Sequence, residues 1–185
     1  MANVDMNGDR WRSSLPAAYR IKLVTDAWEY RGALDLRRAV FCEEQGVFAG
    51  NDTDHIDQQA LPIVAVSYNG GMPDEIAGTV RIHEEEPGVW CGSRLAVHQT
   101  YRRAAVLGPA LIRLAVTTAH ARGAHRFIAH VQKANVPLFH RLHWRTIEEE
   151  ELHGRPHHFM QADLEHYPPY PHGECGFFAM PGGVA

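Results

Sequence analysis

Apolar residues recur along this chain with two distinct periods. Leu107, Ala110, Leu111, Leu114 and Thr118 share one face at 3.6 residues per turn and predict an amphipathic helix. Gly108 and Pro109 fall in its first turn, where a missing side chain and a missing N–H do least harm, and Gly123 is placed to end it. A second helix is predicted from about Trp28 to Gln45, capped by Asp26, with Ala33, Leu36, Val40 and Phe41 as its buried stripe and Gly46 as its stop. Short apolar or alternating runs predict strands at Ile21–Val24, Pro62–Tyr68, Ile76–His83, Val89–Val97, Arg126–Val131, Arg145–Leu152 and His158–Leu164. Asn69-Gly70-Gly71 and Glu84–Gly88 read as turns, and a short helix fits Val136–Leu142. The order β-α-β-β-β-α-β-α-β-β predicts the α/β (α+β) class, a mixed sheet of about seven strands flanked by helices. Residues 21–165 read as the folded domain, 1–20 as a polar flexible lead-in, and 166–185, with four prolines and four glycines, as an irregular tail.

Composition narrows the picture. The 185 residues fit one domain with a substantial core, and 45% hydrophobic with 22% charged residues is ordinary for a soluble protein. A net charge of −4 gives no support for nucleic-acid binding. No apolar run is long enough to span a membrane, and the N-terminus lacks the apolar centre of a signal peptide. Cys42, Cys91 and Cys175 have no metal-type spacing, so reduced thiols in a cytoplasmic protein are expected. His153 and His157 bracket Gly154 and Pro156, so they cannot align on a helix. With His158, His166 and His172 they are expected to be solvated or substrate-facing, and no metal site is predicted.

The strongest chemical signal is the connection between the Val89–Val97 strand and the Leu107 helix. Helix N-termini carry N–H groups without intrahelical partners and a positive dipole end, so a diphosphate can settle there when side chains leave room. Arg102 and Arg103 supply charge; Ala104, Ala105 and Gly108 supply room. An ordinary solvated turn fits the same pattern.

Arg103-Ala104-Ala105-Val106-Leu107-Gly108 resembles the Q/R-x-x-G-x-G/A acyl-CoA diphosphate loop of the GNAT N-acetyltransferase superfamily, with Val106 standing where the first glycine usually is. Leu36-Arg37-x-x-Val40-Phe41-x-x-Glu44-Gln45, followed by Asp54-x-x-Asp57, resembles the N-terminal signature of the ElaA-like and acyl-homoserine-lactone-synthase branches. Ser93-Arg94-Leu95-Ala96-Val97 is similar to their fourth-strand motif. The runs from Asn135-Val136-Pro137 and through Glu151 to His157 resemble the nitrogen-starvation-associated N-acetyltransferase family, which would place the protein in nitrogen metabolism.

The resemblance implies a GNAT fold and an acetyl-CoA-dependent N-acetyltransferase acting on a small-molecule amine by direct attack in a ternary complex. With the charge and hydropathy above, no nucleic-acid or membrane partner is expected, and a homodimer is compatible with the reading. Leu95, Ala96, Val97, the segment Arg102 to Gly108, Asn135 and Phe139 would contact the cofactor; Arg37, Phe41, Asp54, Asp57, Cys91 and Ser93 would shape the acceptor pocket. Phe139 stands where the family carries a tyrosine acid, and phenylalanine cannot donate a proton. For the base, His83, Glu84, Glu85, Glu86, His98 and Glu44 are candidates, and Glu44, Arg94 and His83 are carried forward as catalytic residues. Cys91 stands where the lactone synthases carry an acid. Two other readings remain: a lactone-synthase-like acyltransferase and a non-catalytic acyl-CoA sensor.

Overall fold

The computed structural model describes residues 18–181. Eight strands form one sheet in the order β6-β7-β5-β4-β3-β2-β1-β8. They are β1 (Tyr19–Leu23), β2 (Leu61–Asn69), β3 (Met72–Glu86), β4 (Val89–Val97), β5 (Arg126–Gln132), β6 (Trp144–Leu152), β7 (Arg155–Ala162) and β8 (Phe177–Ala179). All neighbouring pairs are antiparallel except β4 with β5. Seven strands fall on the expected runs. β8 is the addition: the tail returns along the free edge of β1, and the Gly173 carbonyl accepts from the Leu23 N–H at 2.8 Å. Prolines and glycines concealed this short strand in the sequence. The predicted lead-in falls almost wholly on residues outside those described.

Three helices cover the sheet: α1 (Ala27–Arg37), α2 (Leu107–Ala121) and α3 (Val136–Arg141). Asp26 is the N-cap of α1, and the Glu29 carboxylate folds back to accept from the Thr25 and Asp26 N–H groups while Lys22 bonds it at 2.6 Å. The α-helix stops at Arg37, short of the predicted Gln45; Arg38–Glu44 continues as π-helix, with the Gln45 N–H bonding the Val40 carbonyl. Gly32 lets α1 lie close on β3, since a β-carbon there would stand 2.5 Å from Ile76. The larger core lies between α2 and the sheet, around Leu107, Leu111, Leu114, Phe127 and Trp144; a smaller one lies beneath α1, around Leu36, Val40, Phe41, Val64 and Ile76. The predicted Glu84–Gly88 turn is shorter than expected. Glu84 to Glu86 extend β3, and only Pro87 and Gly88 turn.

Candidate active site

The sheet opens between its two parallel strands. β4 and β5 pair from Val89 with Arg126 to Gly92 with Ala129, then separate, so Ser93 to Val97 have no partner on that side. Gly92 sits over Phe127, where a β-carbon would stand 3.1 Å from the ring. On the other side of β4 the register against β3 shifts: Thr79 opposes Ala96 and Arg81 opposes Ser93, leaving one extra residue in β4. The extra residue is accommodated as a β-bulge with Arg94 at φ 55°. A non-glycine residue there costs about 1–2 kcal/mol, so the conformation must be held from outside.

Six buried or half-buried charges hold it. Arg37 donates to Asp52 Oδ2 at 2.8 Å and to both oxygens of Asp57 at 2.7 and 3.0 Å. Arg81 forks onto Asp54 with two bonds of 2.7 Å and lies 2.7 Å from Asp57. Arg94 donates to Asp52 at 2.9 Å and to Asp54 at 3.1 Å, its guanidinium 4.5 Å over the Phe48 ring. Hydrogen bonds from Arg81 hold the Asp54 carboxyl below its ordinary range. For Asp57 burial opposes ionisation, but bonds from Arg37 and Arg81 outweigh it and hold the carboxyl well below that range. The expected quartet Arg37, Asp54, Asp57 and Arg94 is therefore brought together, with Asp52 and Arg81 as additional members. Arg81 had a signal: an arginine amid the apolar alternation of Thr79-Val80-Arg81-Ile82 is unusual unless paired.

The opening widens into a cavity of about 340 Å³ that passes through the sheet. On the α2 side its wall is apolar: Val80, Ile112, Ala115, Phe127, Phe139 and Trp144. Phe139 is buried there, edge-on to Trp144 with ring centroids 4.9 Å apart. On the α1 side stand Asp54, Arg81, His83, Glu85, Cys91, Ser93 and Arg94, with Phe41, Phe48, His153 and His157 around them. Ser93 Oγ accepts from Arg81 Nε at 2.9 Å. His83 is buried and lies directly across the strand pair from Cys91; its Nδ1 has no hydrogen-bond partner. Desolvation lowers the pKa of His83, so the ring stays neutral at neutral pH. Burial pushes the Cys91 thiol up to about 12, helped by Glu85.

Glu44 is placed elsewhere. It does not line the cavity; its carboxylate takes both terminal nitrogens of Arg102 at 2.8 and 2.6 Å in a half-exposed pair. The predicted partners Arg37 and Arg94 are held by aspartates instead. Arg102 also donates to the Val97 carbonyl at 3.1 Å, fastening the turn before α2 to the end of β4. Glu84 accepts from the Gly88 N–H, and His98 Nδ1 from the Thr100 N–H, so both serve turns. His140 meets Thr146, away from the cavity.

The turn into α2 has the expected form with two corrections. Ala104 is buried in the core rather than facing outward, and Val106 turns its side chain onto the same core, so the departure from glycine does not narrow the outer face. Leu107 and Ala110 donate back to the Ala104 and Val106 carbonyls. Among the described residues the N–H groups of Arg103, Ala105, Val106 and Gly108 make no backbone bond. Arg103 is exposed beside them, and Asn135 is exposed at the cavity mouth. These donors at a helix start fit a diphosphate, and the divergent strands fit the pantetheine arm. Gly108→Glu, which puts a carboxylate among those amides, is expected to weaken acetyl-CoA binding by about tenfold or more in calorimetry. Unchanged affinity would remove the diphosphate from this turn.

Divergent parallel strands and the bulge beside them line one cleft, and the open amides stand at the start of the following helix. The chain belongs to the acetyltransferase (GNAT) family, whose model matches residues 22–144. Among solved structures it is similar to a provisionally named N-acetyltransferase from Lactobacillus plantarum, with TM-score 0.70 and 24% identity over 79% of this chain and 98% of that one. Escherichia coli ElaA follows with TM-score 0.65 and 19% identity over 78% and 98%. BjaI, a CoA-dependent acyl-homoserine lactone synthase with MTA, gives TM-score 0.64 and 13% identity over 80% and 86%. At these identities the likeness is one of fold. A search of curated proteins by sequence returns no match.

Proposed function

We propose that the protein transfers an acetyl group from acetyl-CoA to a small amine by direct attack in a ternary complex, with His83 as the base that takes the amine proton. The observation that carries this reading is the buried, neutral, unpartnered His83 facing the cleft one strand from the bulge. A base must be unprotonated and within reach of the amine, and His83 meets the first condition by desolvation.

The proposed steps are these. The diphosphate sits on the open Ala105, Val106 and Gly108 amides, and the pantetheine runs between β4 and β5. The bulge at Arg94 and Leu95 aims a backbone N–H at the thioester oxygen, where negative charge develops. The acceptor approaches on the α1 side, past Phe41, Phe48 and Ser93, with the Glu85 carboxylate nearby to attract an amine. His83 accepts the proton as the C–N bond forms, and the C–S bond then breaks. Phe139 keeps an apolar wall, so the thiolate takes its proton from water at the cavity mouth. Arg37, Asp57, Asp52 and Asp54 are proposed to act as positioning residues, since their polar atoms are engaged with one another. Arg94 acts through its backbone, and Glu44 holds the turn through Arg102 rather than acting as a catalytic group.

Cys91 in place of an acid disfavours lactone-synthase chemistry, and the nearest titratable base, His83, stands across the strand pair from it. The resemblance to the nitrogen-starvation-associated family, a cytoplasmic location and residues 21–165 as the catalytic unit belong to the same proposal. Its test is thiol release from acetyl-CoA with a panel of small amines. Release above the spontaneous rate with at least one amine is expected. If the protein binds acetyl-CoA yet no amine in a broad panel releases thiol, the sensor reading replaces this one.

A further inference from the structure

Three potential metal ligands converge at the α1 side of the cavity. His83, Glu85 and Cys91 each offer one donor atom, and the three atoms lie within 4.8 Å of one another. β geometry brings them together: His83 and Glu85 are two residues apart on one face of β3, and Cys91 is the cross-strand partner of His83. His83 and Cys91 are buried, Glu85 is exposed, and all three line the cavity. Separately, the buried His83 ring has a nitrogen, Nδ1, without any partner, at a depth where an unpaired polar atom is costly.

We infer that His83, Glu85 and Cys91 form a binding site for a borderline-soft divalent transition metal, zinc(II) in chemistry, with a fourth coordination position open to the cavity. Imidazole, thiolate and carboxylate suit zinc in a three-ligand open site, whereas magnesium and calcium favour all-oxygen sets. Donors in a tetrahedral zinc site stand about 3.5 Å apart, so the observed separations close with small side-chain rotations. The ion binds in place of the Cys91 thiol proton, which leaves to solvent, and its charge reverses the penalty that burial puts on the thiolate. No covalent or redox chemistry is involved. An ion here occupies the ground where the acceptor amine must approach and ties up the base of the proposed reaction, so its consequence is inhibition competitive with the acceptor.

Binding is tested without cofactor or acceptor, so its outcome does not depend on the proposed transfer reaction. Cobalt(II) titrated into the full-length wild type is expected to give a near-ultraviolet thiolate-to-cobalt band that zinc(II) abolishes. The band should persist when Cys42 and Cys175, the other two free thiols, are both changed to serine, and vanish in Cys91→Ser. Absence of the band in wild type, or its dependence on Cys42 or Cys175, overturns the site. Should Cys91→Ser fail to fold, His83→Gln and Glu85→Gln decide, each expected to weaken cobalt binding tenfold or more; unchanged affinity in either overturns it. Where transfer activity is present, zinc should raise the apparent KM for the amine and leave that for acetyl-CoA unchanged.

Discussion

Asp52→Asn is expected to lower stability by about 3–5 kcal/mol, the range for breaking a buried charge cluster by removing one partner. Asp52 is 1% exposed and receives Arg37 and Arg94, so the change leaves a buried and a partly buried guanidinium each short of an anion. The same substitution should release the Arg94 bulge, because Asp52 is one of the two carboxylates holding that residue at positive φ. Denaturant unfolding gives the first effect as a lower midpoint. The second appears as a fall in transfer rate in the mutant that remains folded. Glu44→Gln is the contrast. Its pair with Arg102 is about 40% exposed on each side, so its loss should cost at most about 1 kcal/mol and fade further in high salt. A loss as small for Asp52 as for Glu44 would show that the cluster does not hold the loop.

The cluster also sets an acid limit. The Asp54 and Asp57 carboxyls are lowered in the folded state, so folding binds fewer protons than the unfolded chain through the ordinary carboxylate range. The stabilisation is fully present above an unfolded pKa of about 3.9 and is lost as pH falls through the lowered folded values.

Much of this was legible because local rules agree with the tertiary result. Sequence pattern located seven of the eight strands and all three helices, since most of these elements, though not β6, lay one face on a core. The turn into α2 was legible as a helix start, because glycine and proline in a first turn followed by a 3.6-residue period mark one. β8 was not, because a three-residue edge strand carries no period. The π-helical end of α1 was not, because its residues keep an ordinary helical composition. The outward or inward sense of Ala104 and Val106 depends on how the turn seats on the core, which no linear spacing encodes. Asp54, Asp57, Arg37 and Arg94 could be grouped by resemblance, but the partner of Glu44 could not, since Arg102 lies 58 positions away. His83 was a candidate base in the sequence, but its orientation was not legible: a histidine at a strand end can face either way, and the register against Cys91 turns it into the cleft.

His83→Gln is expected to reduce amine acetylation by about 10²–10⁴-fold while leaving acetyl-CoA affinity unchanged. The turn proposed to hold the diphosphate lies at the start of α2, and His83 makes no hydrogen bond that the change would break among the described residues. Glutamine keeps a polar side chain of similar reach but cannot accept a proton at neutral pH. The pH profile supplies a readout that a merely structural residue would not move. An aromatic amine, neutral throughout the range, removes the acceptor's own titration. With it, wild-type kcat/KM should stay flat as pH falls through about 6.5 and decline only below that value, because the active form is the neutral ring and desolvation lowers its pKa. In His83→Gln the residual rate should lose this acid limb. Stability carries the same sign: a histidine held neutral binds fewer protons than in the unfolded chain, so wild-type stability falls as pH drops through about 6.5, and the mutant lacks that component. Full transfer activity in a folded His83→Gln protein with intact cofactor binding would exclude His83 as the base. The candidate bases left on that side of the cleft, apart from Asp54 in its ion pairs and the buried Cys91 thiol, are then Glu85, His153 and His157, all on the cavity wall.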